Sequence, residues 1–345
     1  MSNAQDNHDK QHNPRRNFLK AGLAAGAGLA AACSVEVKRD FETEQQSLKG
    51  KSDLNPFPKE LNTINPSQMP MTKIGNVPVS RLVMGSNPLW GYSHRGKLLG
   101  SLMTDFYTND RVVELFHHAE ACGLNTWQSS LSGAIKECWP RYKDEGGTMN
   151  LDLLIHPHAR TSRSPAWTEA SKEIMPVLKP TFVAYHGQDV DRAFREGNMD
   201  EVRDGLKMLK DEGLPTACST HTPACLEYME EKGFETDFYM CSFYEASKPR
   251  ENWIPELGEK PLHEMYLENM PQRMTKVIRQ VPKTCLCYKI LAAGRLTDSR
   301  EQVDKCFKWA FENIKPQDAV IVGMFPKFWD QVAESVRLTV QYGQV

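Results

Sequence analysis

The sequence predicts one α/β domain, a (β/α)8 barrel, and three observations carry that expectation. Short apolar runs recur along the chain, each of the length of a strand buried on both faces. Each run ends in polar residues, and amphipathic helical patterns separate the runs. No run is followed by the glycine-rich turn that opens a nucleotide-binding open sheet. With 345 residues, 40% of them hydrophobic, the chain has the apolar material such a core needs.

The chain starts with segments that precede this domain. Asn13-Pro14-Arg15-Arg16-Asn17-Phe18-Leu19-Lys20 is similar to a twin-arginine export signal. The apolar run at 21–32 holds 12 residues, against the roughly 20 needed to span a bilayer. It ends in Ala30-Ala31-Ala32-Cys33, which resembles a lipoprotein processing site. Residues 1–33 are therefore expected to act as a signal peptide read by the twin-arginine translocase. The expected location is the periplasm, with the protein tethered to the membrane if Cys33 is acylated and soluble there if it is not. Residues 34–72 are polar and aperiodic and read as a flexible tether. The barrel is expected over 73–345.

Its first strand is expected at 79–84, with the tip Gly85-Ser86-Asn87-Pro88. The insertion at 89–108 carries Trp90, Tyr92 and His94 and reads as a lid or substrate loop, in which Trp90 and Tyr92 either stack on a sugar ring or pack the lid. Asn109 or Asp110 caps a helix with Val112, Val113, Phe116 and Ala119 on one face, ended by Gly123. His117 and His118 are expected on its surface. The second strand is 124–129. The third, from Leu151, runs into His156-Pro157-His158, whose two imidazoles share one side if the strand extends that far. The fourth, from Thr181, ends in His186. A helix at 199–211 carries Val202, Leu206 and Leu209. Strands five to eight are expected at 215–221, 237–244, 284–290 and 319–322. A closing helix bears Trp329, Val332, Val336 and Val340.

Charge and cysteine usage narrow the function. A net charge of −2 without a basic run gives nothing for a nucleic acid to bind. The nine cysteines have no repeating spacing; Cys285 and Cys287, one residue apart, read as structural thiols rather than a redox or zinc pair.

From residue 73 onward the chain resembles the aldo/keto reductase superfamily. The resemblance rests on Val79-Ser80-Arg81-Leu82-Val83-Met84-Gly85, Gly123-Leu124-Asn125-Thr126 and Tyr185-His186, in that order. It continues through Lys289-Ile290-Leu291-Ala292-Ala293-Gly294-Arg295-Leu296 and Val322-Gly323-Met324. It implies a barrel with NADP bound by residues after the seventh and eighth strands, here Arg295, Arg300 and Lys327. It also implies a catalytic Asp, Tyr, Lys and His. In this chain the Asp position reads Gln128, the Lys position reads His156 and no Tyr stands at the expected spacing. Only His186 matches. Without the tyrosine acid and the lysine that lowers its pKa, carbonyl reduction by that mechanism lacks a proton donor.

What the strand ends offer instead is histidine. His156, His158, His186 and His221 are expected at one mouth, where neutral imidazoles bind Zn, Mn or Fe. Gln128, Tyr244, Glu245, Tyr288 and Lys289 are further candidates there, with Lys289 as base or electrostatic clamp, as are the catalytic assignments His186, Tyr244 and Gln128. The leading expectation is a metal-assisted lyase, isomerase or hydrolase acting on a small, sugar-like substrate. An NADP-dependent oxidoreductase and a non-catalytic periplasmic binding protein are the alternatives.

Overall fold

A computed structural model describes residues 59–60, 64–131, 133–158 and 167–344. The twin-arginine segment, Cys33 and most of the expected tether lie outside the described residues. The chain divides into Met1–Pro56 and Phe57–Val345, and all that follows concerns the second unit.

That unit opens with an antiparallel hairpin, β1 (Met71–Ile74) and β2 (Val77–Ser80). Eight parallel strands then close into a barrel. They are β3 (Leu82–Gly85), β4 (Thr126–Ser130), β5 (Asn150–Ile155), β6 (Phe182–Tyr185), β7 (Thr216–Thr220), β8 (Phe238–Ser242), β9 (Cys285–Tyr288) and β10 (Ala319–Gly323). β10 pairs with both β3 and β9, so no edge is left open. The outer helices are α1 (Lys97–Phe106), α2 (Asn109–Ala121), α3 (Ile135–Asp144), α4 (Trp167–Leu178), α5 (Gly187–Glu196), α6 (Met199–Lys210), α7 (Pro223–Glu231), α8 (Met270–Ile278), α9 (Arg300–Asn313) and α10 (Gln331–Tyr342). Among the described residues no helix is long and apolar enough to cross a membrane.

Two layers of core follow from the strand alternation. Inside the barrel Val83, Phe182, Ala184, Ala217, Phe238, Met240, Leu286, Ala319 and Ile321 pack together. Ile74 and Val79 of the hairpin join them, so β1 and β2 plug the end where the strands begin. Outside, Leu82, Trp127, Leu153, Tyr185 and Cys218 face the helices. Cys285 and Cys287 are both buried on β9, in keeping with structural thiols.

The hairpin corrects two boundaries. Residues 71–72 belong to β1 rather than to a tether, and the strand expected at 79–84 is broken at Arg81. Arg81 is buried, and its guanidinium donates to the carbonyls of Asp318 and Lys315 at 2.8 and 3.2 Å. It ties the start of β3 to the loop before β10. The helix stop at Gly123 holds: its φ of +99° is left-handed, and a Cβ there would meet the Pro66 carbonyl oxygen at 2.9 Å.

His118 is a further correction. The helix face expected to be wet is buried at this residue, and its Nε2 lies 2.8 Å from Oδ2 of Asp330, with both side chains sealed from solvent. Asp330 also caps α10 through the amide of Ala333. Removing one partner of a sealed pair leaves the other short of hydrogen bonds, so His118→Ala is expected to cost about 3 kcal/mol. Urea unfolding measures this, and a loss well under 1 kcal/mol would mean the pair is not coupled to folding.

Candidate functional site

The C-terminal ends of β5, β6, β7 and β9 carry His156, His186, His221 and Tyr288–Lys289 to one face of the barrel. α5 organises three of them. It starts directly after β6, and His186 caps it, with Nδ1 accepting the Gln188 amide at 3.3 Å. Its first turn holds Asp189, Asp191 follows two residues on, and two residues along a helix correspond to about 200° of rotation. The carboxylates therefore leave opposite flanks, one towards β5 and one towards β7. Asp189 Oδ2 lies 2.7 Å from Nδ1 of His156, and Asp191 Oδ2 lies 2.9 Å from Nδ1 of His221. Gly187 allows this approach, because a Cβ there would stand 2.9 Å from Ser219 Oγ and 3.2 Å from His221 Nδ1.

The Asp191 side forms a continuous hydrogen-bonded chain. Asp191 is buried and accepts from Thr220 Oγ1, the His221 amide and Ser247 Oγ as well as from the imidazole. Burial alone would raise its pKa, but hydrogen bonds from His221, Ser247 and Thr220 outweigh it and hold the carboxyl below its usual range. His221 moves the other way for its class: burial lowers its pKa, only partly opposed by Asp191. An ionised Asp191 accepts, so the neutral ring carries its proton on Nδ1 and turns the Nε2 lone pair outward. That lone pair meets the Tyr288 hydroxyl at 3.2 Å, and the same hydroxyl lies 2.9 Å from Ser219 Oγ. Burial drives the Tyr288 phenol well above its usual pKa, so it remains an O–H.

The facing wall is built from loops. Lys289, next to Tyr288, takes a left-handed φ of +63°. Burial lowers its ammonium from 10.5 to about 8, with Glu264 opposing and Arg295 adding to the shift. The Lys289 Nζ lies 5.0 Å from the centroid of the Tyr288 ring and forms no hydrogen bond or ion pair with the described residues. His94, from the loop after β3, presents Nδ1 to Glu264 at 2.9 Å and Nε2 to the Asn87 amide at 3.2 Å. Two arginines staple that loop to the loop after β9: Arg95 donates to the Gly294 carbonyl at 2.6 Å, and Arg295 to the His94 carbonyl at 2.9 Å.

The expected four-histidine metal set is not assembled. β5 ends at Ile155, so strand alternation does not continue through Pro157, and His158 Nε2 turns to the Glu201 carbonyl at 2.9 Å. His221 is engaged by Asp191 and Tyr288. The group with ligand spacing is His156, His186 and Asp189, whose candidate atoms lie within 4.8 Å of one another. The two rings are stacked, however, at 4.1 Å between centroids and 20° between planes. Imidazole lone pairs lie in the ring plane, and near-parallel planes do not meet at one ion. A metal there requires at least one ring to turn.

The remaining assignments separate. Gln128 lies on the inward face of the barrel, paired in register with Gly85 and Asp152. Tyr244 is buried against Tyr266, with centroids 5.0 Å apart, and has no hydrogen bond to the Asp191–His221–Tyr288 chain. Glu245 faces Arg273 at 3.7 Å, not Lys289. Trp90 packs on Trp127 and donates to Ser129 Oγ at 3.2 Å, so it closes the lid rather than standing free for a sugar, whereas Tyr92 is 50% exposed. Of the cations proposed for cofactor phosphates, Arg295 is held by His94 and stacks on Tyr266 at 3.8 Å, and Arg300 pairs with Glu334 at 3.5 Å. Lys327 lies 5.8 Å from the Phe328 ring centroid. They present no shared phosphate clamp.

Asp191 and Glu264 escaped sequence reasoning altogether, and no orienting role was legible for Asp189. A signal for the first existed. Gly187-Gln188-Asp189-Val190-Asp191 directly after a strand-end histidine is a helix start with one acid in its first turn and a second just past it. Glu264 sits in an irregular loop and carried no such mark.

No protein-family model and no curated protein matches the sequence. Among solved structures, a thermostable aldo-keto reductase, Tm1743, bound to the inhibitor epalrestat superposes with a TM-score of 0.53. The two are 12% identical over 79% of this chain and 94% of that one. A variant of Gox0644 in complex with NADPH gives 0.50 at 12% identity, over 78% of this chain and 88% of the other. The barrel is thus of the aldo-keto reductase type in its fold.

Proposed function

We propose that this barrel is an acid–base enzyme, an isomerase or lyase that moves a proton next to the carbonyl of a small polar substrate. The observation that carries the reading is the Asp191–His221–Tyr288 chain, which ends beside Lys289, an ammonium without a hydrogen-bond or ion-pair partner among the described residues. The Tyr288 oxygen takes the substrate C–H proton while its own proton passes to His221 Nε2. The electron pair left on carbon delocalises onto the carbonyl oxygen, where the Lys289 ammonium offsets the charge. Asp191 holds the tautomer and stabilises the imidazolium that forms.

Deuterium uptake from D2O into dihydroxyacetone, followed by proton NMR, tests this. Uptake is expected to be catalysed and to fall about 10²-fold in Tyr288→Phe; an unchanged rate in that variant would sink the relay.

Two other readings have specific support. A divalent Zn, Mn or Fe ion at His156, His186 and Asp189 is supported by donor spacing, and loss of exchange with a chelator would favour it. An NADP-dependent oxidoreductase is supported by likeness of fold to an NADPH-bound neighbour. The engaged arginines do not fit a phosphate clamp, and no step here is routed through a nicotinamide. Export to the periplasm through the twin-arginine translocase, with a lipid on Cys33, completes the proposal and rests on the sequence of the first 33 residues.

A further inference from the structure

Lys289 stands apart from the described cations that line the mouth and hold a polar partner. Arg95 and Arg295 hold carbonyls, and Arg192 holds Glu196 and Glu201. Lys248 pairs with Glu256. Lys289 has no such partner among the described residues, although its Nζ lies in the same field as Glu264, His94 and His221. The residue is half-buried, at the end of β9 beside Tyr288.

The backbone gives a second, independent indication. Lys289, Ala292 and Ala293 all have φ between +49° and +63°, a region that side chains other than glycine's disfavour. Such strain persists only where surrounding structure holds it, and it clusters at functional sites. Here the left-handed turn directly after β9 sets the Lys289 stem beside Tyr288. A glycine at 289 would relax the turn, yet the chain keeps a long amine there.

We propose that Lys289 forms a covalent imine with the carbonyl of an open-chain hydroxy-ketone or aldehyde. The inference rests on the acid–base reading of the same mouth and gives it a covalent step. The neutral Nζ attacks the carbonyl carbon, the C=O electron pair moves to oxygen, and a proton passes from nitrogen to that oxygen to give a carbinolamine. The proton that the Lys289 ammonium gave up to become the neutral amine then returns to the hydroxyl, which leaves as water as the C=N bond forms. The step consumes no oxidant or reductant: ammonium and carbonyl become iminium and water. The iminium then draws electrons from the adjacent carbon more strongly than a ketone does, which is what removal of a neighbouring proton requires. A lysine lowered to about 8 supplies far more free amine at neutral pH than an exposed one.

The test is borohydride trapping. The full-length protein is mixed with dihydroxyacetone at neutral pH, reduced with sodium borohydride, digested and mapped by mass spectrometry. The mass of one reduced ketone is expected on the peptide containing Lys289, accumulating at least about tenfold faster than on exposed lysines. Lys289→Arg and Lys289→Met should lose that label while unfolding as the wild type does. Label spread evenly over exposed lysines, or absent from Lys289, overturns the imine. Tyr288→Phe keeps the two claims apart. Trapping retained with exchange lost supports both; exchange lost in Tyr288→Phe with no trapping in the wild type removes the imine and leaves the relay. Trapping in the wild type with exchange indifferent to Tyr288→Phe leaves the imine and removes the relay.

Discussion

Asp191→Asn is expected to lower catalysed exchange by about 10⁴ while leaving the barrel folded, the size seen when a carboxylate that fixes an imidazole tautomer becomes an amide. The reason is donor geometry. An asparagine here can turn an N–H towards His221, and the ring then moves its proton to Nε2 to accept it. Nε2 becomes a donor facing the Tyr288 hydroxyl, which can no longer pass its proton on. The buried hydroxyls of Ser247 and Thr220 also lose a charged acceptor. Exchange kinetics and the unfolding midpoint are measured together. Unfolding without an exchange defect in the folded fraction would make Asp191 purely structural.

The second large effect is on stability and involves a group the relay does not use. Asp152 lies inside the barrel on β5, fully buried, and neither carboxylate oxygen has a hydrogen-bond partner among the described residues. Burial raises its pKa from 3.8 to about 7. The folded state thus holds this proton more tightly than the unfolded chain. Between 3.8 and about 7 the unfolded state binds fewer protons, so this group's contribution falls as pH rises through that window and is constant outside it. The full swing is about 4 kcal/mol. Asp152→Asn should be close to neutral in acid and stabilising by up to that amount above neutrality. Parallel stability curves for the two proteins across the window would show that Asp152 has a partner. Asp191 has the opposite sign: its depressed pKa adds stability above the usual carboxylate range that is lost as pH falls.

The barrel was legible because strand alternation and apolar length are local properties. Eight runs were placed close to their observed positions, and only the first was wrong in kind. There Arg81, a buried charge satisfied by carbonyls some 230 residues away, interrupts what reads as a continuous strand. The site was legible in its strand-borne members, His156, His186, His221, Tyr288 and Lys289. It was not legible in the carboxylates that orient them. Whether two histidines converge depends on where a strand stops, and Pro157 ended β5 before His158 could follow His156. His118 failed for the same reason, since its partner Asp330 lies 212 residues further on.

The paired arginine staple between the loops after β3 and β9 has a consequence for the time course of substrate entry. Each arginine binds a carbonyl beside the other arginine's own position, so neither loop can swing away without breaking both bonds. Opening is then a single concerted event rather than the sum of two independent ones, and both walls of the mouth, His94 on one side and the left-handed Lys289 turn on the other, part together. Traffic through such an entrance is governed by one rate, and losing either arginine would speed release while losing both would speed it further, because the remaining bond still has to break.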